Sequence, residues 1–225
     1  MNKDMSKRFR GFYPVVIDIE TAGFDYKKSA VLELAAVTVT YNQHGLLVPE
    51  NTYAYHIEPF ASATYDAEAL AFTGIDPHHP FRFAKPENDV LQDLFQQIKD
   101  RKKAHNCHRA VMVAHNPIFD MGFLQAMMAR CEIKKHPFHE FTTFDTATLA
   151  AAAYGQTVLA KAMEKANIPF NSKEAHSAIY DAEKTAELFC TIINKCTEYF
   201  IKFSSKIFLC GIVYFLQQTL AYLQQ

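Results

Sequence analysis

No linker rich in Gly, Ser or Pro divides this 225-residue chain, no internal repeat is visible, and its five cysteines form no C-x-x-C pair. Without a linker, a length between the one-domain and two-domain expectations (about 150 residues per domain) reads as a single domain. An odd set of widely spaced cysteines (Cys107, Cys131, Cys190, Cys196, Cys210) argues against a disulfide or zinc framework. It fits reduced thiols, hence a cytoplasmic setting. The amino terminus MNKDMSKRFRGFYPVV has no apolar stretch long enough for a secretory signal before charge returns at Asp18. Toward the other end, residues 207–216 are only ten apolar positions, and Gln217, Gln218 and Thr219 interrupt them. A membrane span needs about 20, so no membrane partner is expected. Net charge is −1, from 23 Lys+Arg against 24 Asp+Glu, which neither announces nor excludes a polyanionic partner.

What is present is ordinary globular material, with 49% hydrophobic, 13% aromatic and 21% charged residues, so disorder and collagen-like repeats are excluded. Basic residues gather around Lys7, Arg8 and Arg10, around Lys103 and Arg109, and at Lys134 and Lys135. Each cluster alone reads as a solvated face. Three on a near-neutral chain shift the balance toward a binding surface, because they must be offset by acid elsewhere. Residues 13–19 (YPVVIDI), 32–41 and 52–57 favour strand, with a hairpin at Asn42-Gln43-His44-Gly45. Helical spacing follows Pro86 (Val90, Leu91, Leu94, Phe95, Ile98), and a buried strand at 110–114 runs into a helix starting at Pro117. After an extended piece at 141–144, helices are expected from Asp145 as N-cap, over 158–166, and after Ser177, which can cap. In the last helix Ile179, Ala182, Ala186, Phe189, Cys190 and Ile193 share a stripe. Three strands followed by alternating helix and strand predict a mixed-sheet α/β domain.

Asp18 and Glu20 sit two apart at the end of an apolar strand, so both side chains point to one face. Asp120 lies just inside a strand-to-helix crossover, and His176 and Asp181 bracket the start of the last helix. Taken singly these are a solvated strand edge, a helix-end salt bridge and a first-turn acid favoured by the helix dipole. Brought together, four carboxylates would repel strongly unless divalent cations neutralise them. Oxygen-only ligands select Mg²⁺ or Mn²⁺, and two such ions about 3.5–4 Å apart stabilise both oxygens of an in-line phosphoryl displacement. A histidine suits the task of taking a proton from the attacking water.

VVIDIET, LELAAVTV, HIEPF, AFTGIDP, VMVAHNPIFD, FDT and AHSAIYDAEKTA resemble, in order, the motifs of the DnaQ-like 3′-to-5′ exonucleases of the DEDD type with a histidine in the last motif. The resemblance spans residues 9–194. It implies an RNase H-like mixed sheet flanked by helices, two magnesium ions with manganese as a substitute, and release of nucleotides from single-stranded RNA 3′ ends. It makes Asp18, Glu20, Asp120 and Asp181 metal ligands and His176 the general base. Asp145 also matches, but its N-cap role is sufficient. The branch that trims tRNA and ribosomal RNA precursors implies more. There Phe24, Phe72, Phe119 and Phe141 stack on the last two bases, and Glu68 reads the terminal base edge. Arg8, Arg10, Lys103, Arg109 and Lys134 form patches through which one subunit of a homodimer feeds RNA to the other. Residues 1–198 are then the exonuclease domain; 199–225 match no family feature and form an extension of unassigned role, expected as an added helix on the domain or at a subunit contact, with a poorly packed extension as the alternative. Two rivals stand: a proofreading-type exonuclease acting on DNA 3′ ends, because no residue is a decisive reader of the 2′-OH, and a binding module that has lost catalysis, against which the five intact polar residues argue.

Overall fold

β-Branched and aromatic residues build the sheet. β1 (Phe12–Thr21), β2 (Val31–Tyr41) and β3 (Leu47–His56) form an antiparallel meander. Its second hairpin closes where Gly45 turns at φ 68° and the Asn42 side chain accepts the His44 and Leu46 N–H groups, each at 3.0 Å. β4 (Arg109–Ala114) and β5 (Phe138–Asp145) lie parallel on the other side of β1, giving the order β3-β2-β1-β4-β5. The structure, a computed structural model, describes residues 4–198; the expected extension at 199–225 lies outside the described residues. β1 as far as Ile17 and β4 after Arg109 are central and buried on both faces, as strands covered on both sides must be.

The helices are α1 (Ala67–Thr73), α2 (Glu87–Ala104), α3 (Pro117–Arg130), α4 (Thr146–Tyr154), α5 (Leu159–Ala166) and α6 (178–198). α2 buries Val90, Leu91, Leu94, Phe95 and Ile98, the stripe its spacing predicts. Asp145 caps α4, its carboxylate accepting the Ala147 N–H at 2.9 Å and the Thr148 N–H at 3.2 Å. α6 inserts Ala182, Ala186 and Phe189 into the main core. Ile179, expected on that stripe, is instead 43% exposed, because the buried row begins at Ala178 and climbs in steps of four through 182 and 186. β3 starts five residues before its predicted beginning. Pro49, Glu50 and Asn51 hide the strand pattern, and an edge strand tolerates them. Among the described residues no helix is long and apolar enough to cross a membrane.

Candidate active site

The carboxylates meet at the carboxyl ends of the parallel strands. β1 carries Asp18 and Glu20 side by side on one face. Two residues past the end of β4, Asn116 has a left-handed backbone (φ 69°) that turns the chain into α3, so that Asp120 falls in its first turn. The Asp145 carboxylate holds that corner by accepting the Asn116 N–H at 3.1 Å. α6 begins after Ser177, whose carbonyl accepts the Asp181 N–H at 3.0 Å. The Ser177 side chain does not supply the expected cap; Glu33, reaching across the sheet, accepts the Ala178 N–H at 3.3 Å in its place. Asp181 turns back and accepts the His176 N–H at 2.9 Å, while its other oxygen is buried without a partner. Ligand atoms of Glu20, His176 and Asp181 all lie within 4.8 Å of one another.

Enclosure and mutual repulsion dominate the electrostatics. Burial, then Asp120, Glu20, Asp181 and Glu33, hold the Asp18 carboxyl well above the usual range. Burial pushes Glu20 up to about 7, with Asp181 and Glu33 adding to it. Asp120, 5% exposed, is pushed up to about 8 chiefly by burial, with Glu20 adding repulsion against opposing backbone hydrogen bonds. Burial raises Asp181 too, against the backbone hydrogen bond from His176 and the charges of His176 and His115. A set of hard oxygen donors that resist ionising together, one of them orphaned, fits a divalent cation such as Mg²⁺ or Mn²⁺.

Beside the carboxylates lies a cleft of about 360 Å³ lined by Glu20, Phe24, Glu68, Phe72, Phe119 and His176. Phe24 is 79% and Phe72 65% exposed, a cost in apolar surface that a binding role explains. Phe24 meets Phe119 edge-on at 6.4 Å, Phe119 leans on Phe123 at 4.9 Å, and the Phe72 ring lies 4.0 Å from the His176 imidazole. Gly23 lets the loop carrying Phe24 pass close to Ser29, whose Oγ would stand 2.6 Å from any Cβ there.

Phe141 does not join the other three rings. It projects from edge strand β5, 89% exposed, into a separate hollow of about 510 Å³ with Arg109, Lys134 and His139. Arg10 belongs to the same end, its guanidinium 5.1 Å from the ring of Phe12, which pairs in register with Arg109. Lys103 is exposed at the end of α2, just before β4 starts. Arg8 is engaged in packing: it donates to Thr197 Oγ1 at 3.1 Å and covers the Phe9 ring. Two polar residues beside the carboxylates, Glu33 and His115, lie within the motifs LELAAVTV and VMVAHNPIFD but are given no role by the sequence reading. Glu33 is the only charged residue of β2, and that isolation in an apolar strand is the available clue. His115 bridges Thr146 Oγ1 at 3.0 Å and the Thr157 carbonyl at 2.7 Å, and burial lowers its pKa.

Residues 15–189 match the RNase T family model, an exonuclease family. Ribonuclease T of Hahella chejuensis is 54% identical over 194 residues, covering 86% of this chain and 89% of that protein. Ribonuclease T of Cronobacter sakazakii is 54% identical over 191 residues, covering 85% and 86%. The solved nuclease domain of 3′hExo, a DEDDh family member bound to rAMP, is similar at a TM-score of 0.58 and 14% identity, covering 83% of this chain and 92% of that one. That likeness shows the shared RNase H-like fold. With a family match over most of its length and relatives identical at more than half of the aligned positions, the chain belongs to the RNase T exonuclease family.

Proposed function

We propose that this protein is a divalent-metal-dependent 3′-to-5′ exoribonuclease that trims short single-stranded 3′ tails of structured RNAs such as tRNA and ribosomal RNA precursors. The observation that carries the reading is the meeting of Asp18, Glu20, Asp120 and Asp181 with His176 at the mouth of an aromatic cleft. The four carboxylates would hold the metal, and Mg²⁺, or Mn²⁺ in its place, supplies charge neutralisation for the acids and for the phosphoryl oxygens. His176 takes the proton of the attacking water; its backbone is tied to Asp181 and its ring lies against Phe72. Phe24, Phe72 and Phe119 stack on the terminal bases, which gives sequence tolerance because every base has a π-face. Glu68, on the same cleft wall, offers an acceptor to a base edge.

The basic residues support a homodimer. Arg10 and Arg109 lie at the starts of β1 and β4, with Lys134 in the same hollow as Arg109, while Asp18 and Glu20 lie at the far end of β1. Six residues of strand, about 20 Å, separate Phe12 from Asp18. A patch so placed serves the site of a second subunit, with Phe141 among the cations there as a further stacking surface. The relatives' name favours RNA, and reduced thiols at Cys107, Cys131, Cys190 and Cys196 suit work in the cytoplasm.

Matched RNA and DNA oligonucleotides with free or blocked 3′ ends, each with Mg²⁺ or with EDTA, test the reading. RNA with a free 3′ end should shorten one nucleotide at a time, and only with the metal. Degradation of blocked RNA would overturn the exonuclease assignment, and DNA consumed faster than RNA would favour the proofreading-type alternative.

A further inference from the structure

Glu33 stands in a row across three strands. It is directly opposite Glu20 on β1 and directly opposite His56 on β3. Like charges opposite each other weaken a sheet, and Glu33 also adds to the repulsion that hinders ionisation of Asp18 and Glu20. Its side chain is only 17% exposed, so solvent does little to dilute that cost. The contacts show what holds it there. One carboxylate oxygen lies 3.3 Å from His56 Nδ1, and the other accepts the Ala178 N–H at the first residue of α6. Arg82 donates to the Leu32 carbonyl at 2.6 Å and brings positive charge to the same side of the group.

A helix start leaves N–H groups unpaired and carries partial positive charge, so a carboxylate is a stronger acceptor there than a hydroxyl. Asp181 lies three residues after Ala178, and its carboxylate in turn takes the His176 N–H. The start of α6 therefore fixes both a carboxylate and the imidazole of the site, and Glu33 ties it to the strand next to the one bearing Asp18 and Glu20.

We propose that Glu33 is a positioning residue: it clamps the start of α6 to the sheet so that Asp181 and His176 stand in register with Asp18 and Glu20. The proposal rests on the exonuclease reading above and extends it to a residue outside the four carboxylates and the histidine. The test compares the full chain with Glu33→Ala and Glu33→Gln in two measurements, amide hydrogen exchange and steady-state cleavage of a short single-stranded RNA with Mg²⁺. In Glu33→Ala, exchange at the Ala178 and His176 amides should quicken about tenfold or more. Its kcat should fall about 10–100-fold, as for loss of a supporting contact, with KM within about twofold because the aromatic cleft is untouched. Glu33→Gln keeps an oxygen acceptor and should bring exchange and kcat back to within about threefold of the native chain.

Unchanged exchange at those two amides in Glu33→Ala would overturn the proposal whatever the activity. So would a Glu33→Gln variant as impaired as Glu33→Ala, since charge and not position would then be the contribution. If Glu33→Ala fails to fold, Glu33→Asp, which withdraws the acceptor by one methylene, replaces it; a Glu33→Asp variant with native exchange and native kcat would equally overturn the clamp. A native chain inactive on RNA contradicts the exonuclease reading, and the exchange comparison still decides the role of Glu33.

Discussion

Asp120 is nearly inaccessible and its carboxyl is pushed up to about 8, so the fold opposes the ionised form that a metal ligand needs. A carboxyl held above its unfolded value keeps its proton longer in the native state, so the native state binds more protons than the unfolded chain across that interval. The stabilising contribution is complete below the ordinary carboxylate value near 4. It is lost as pH rises through about 7 for Glu20 and about 8 for Asp120. In EDTA, thermal unfolding should therefore occur at lower temperature at pH 8.5 than at pH 6, and added Mg²⁺ should narrow the difference. Asp120→Asn should abolish hydrolysis while RNA binding persists, because aromatics and basic patches are untouched. The same substitution removes a buried repulsive charge, so at pH 8 in EDTA it should raise Tm by about 3–8 °C, at 2–4 °C per kcal/mol. Activity within about tenfold of the native chain would contradict the ligand role. His176→Ala should lower turnover about 10²–10⁴-fold, with partial recovery at high pH where hydroxide replaces the base. An unaltered pH–rate profile in that variant would mark a structural histidine.

At the level of elements, the site joins four pieces: the end of β1, the β4–α3 crossover, the start of α6, and α1 with its aromatic neighbours. Phe24, Phe72 and Phe119 come from three of them, so each Ala substitution should raise KM for RNA with little change in kcat. A loss of 1–3 kcal/mol per stacked base corresponds to about 5–150-fold. A fall in kcat alone would mean that these rings shape the carboxylate site and do not hold substrate. Much of this was legible in the sequence where short-range period decides structure: the apolar β1 with its two acids, the α2 stripe, Asp145 as cap, and the ordered motifs. Three features were not legible, because each depends on residues distant in sequence. Glu33 caps a helix that starts 145 residues later, a pairing set by the β1–β2 register. Ile179 fits the periodicity of α6 but lies at the margin of what the sheet covers. Phe141 reads like the other aromatics, yet β5 is an edge strand and carries it away from the cleft.

For the whole molecule, near-neutral charge conceals a separation into two ends, carboxylates and aromatics at one and Arg10, Arg109 and Lys134 at the other. Arg8 is left out of the test because its contacts with Thr197 and Phe9 are structural. Reversing the other three to Glu should weaken RNA binding at low salt and lower the slope of log K against log salt by about 2, at roughly 0.7 per lost phosphate contact on a single strand. An unchanged slope would remove these residues from the RNA path. The central claim is that this fold holds repelling, partly protonated carboxylates in place for a divalent cation, and the most direct measurement is calorimetric titration of the metal-free protein with Mn²⁺ at pH 7. Run in buffers of different protonation enthalpy, it counts the protons that binding releases. With Glu20 at about 7 and Asp120 at about 8, the observed heat should depend on the buffer, and Asp120→Asn should reduce that dependence. Saturable binding with the same heat in every buffer, or no saturable binding at all, would contradict the account.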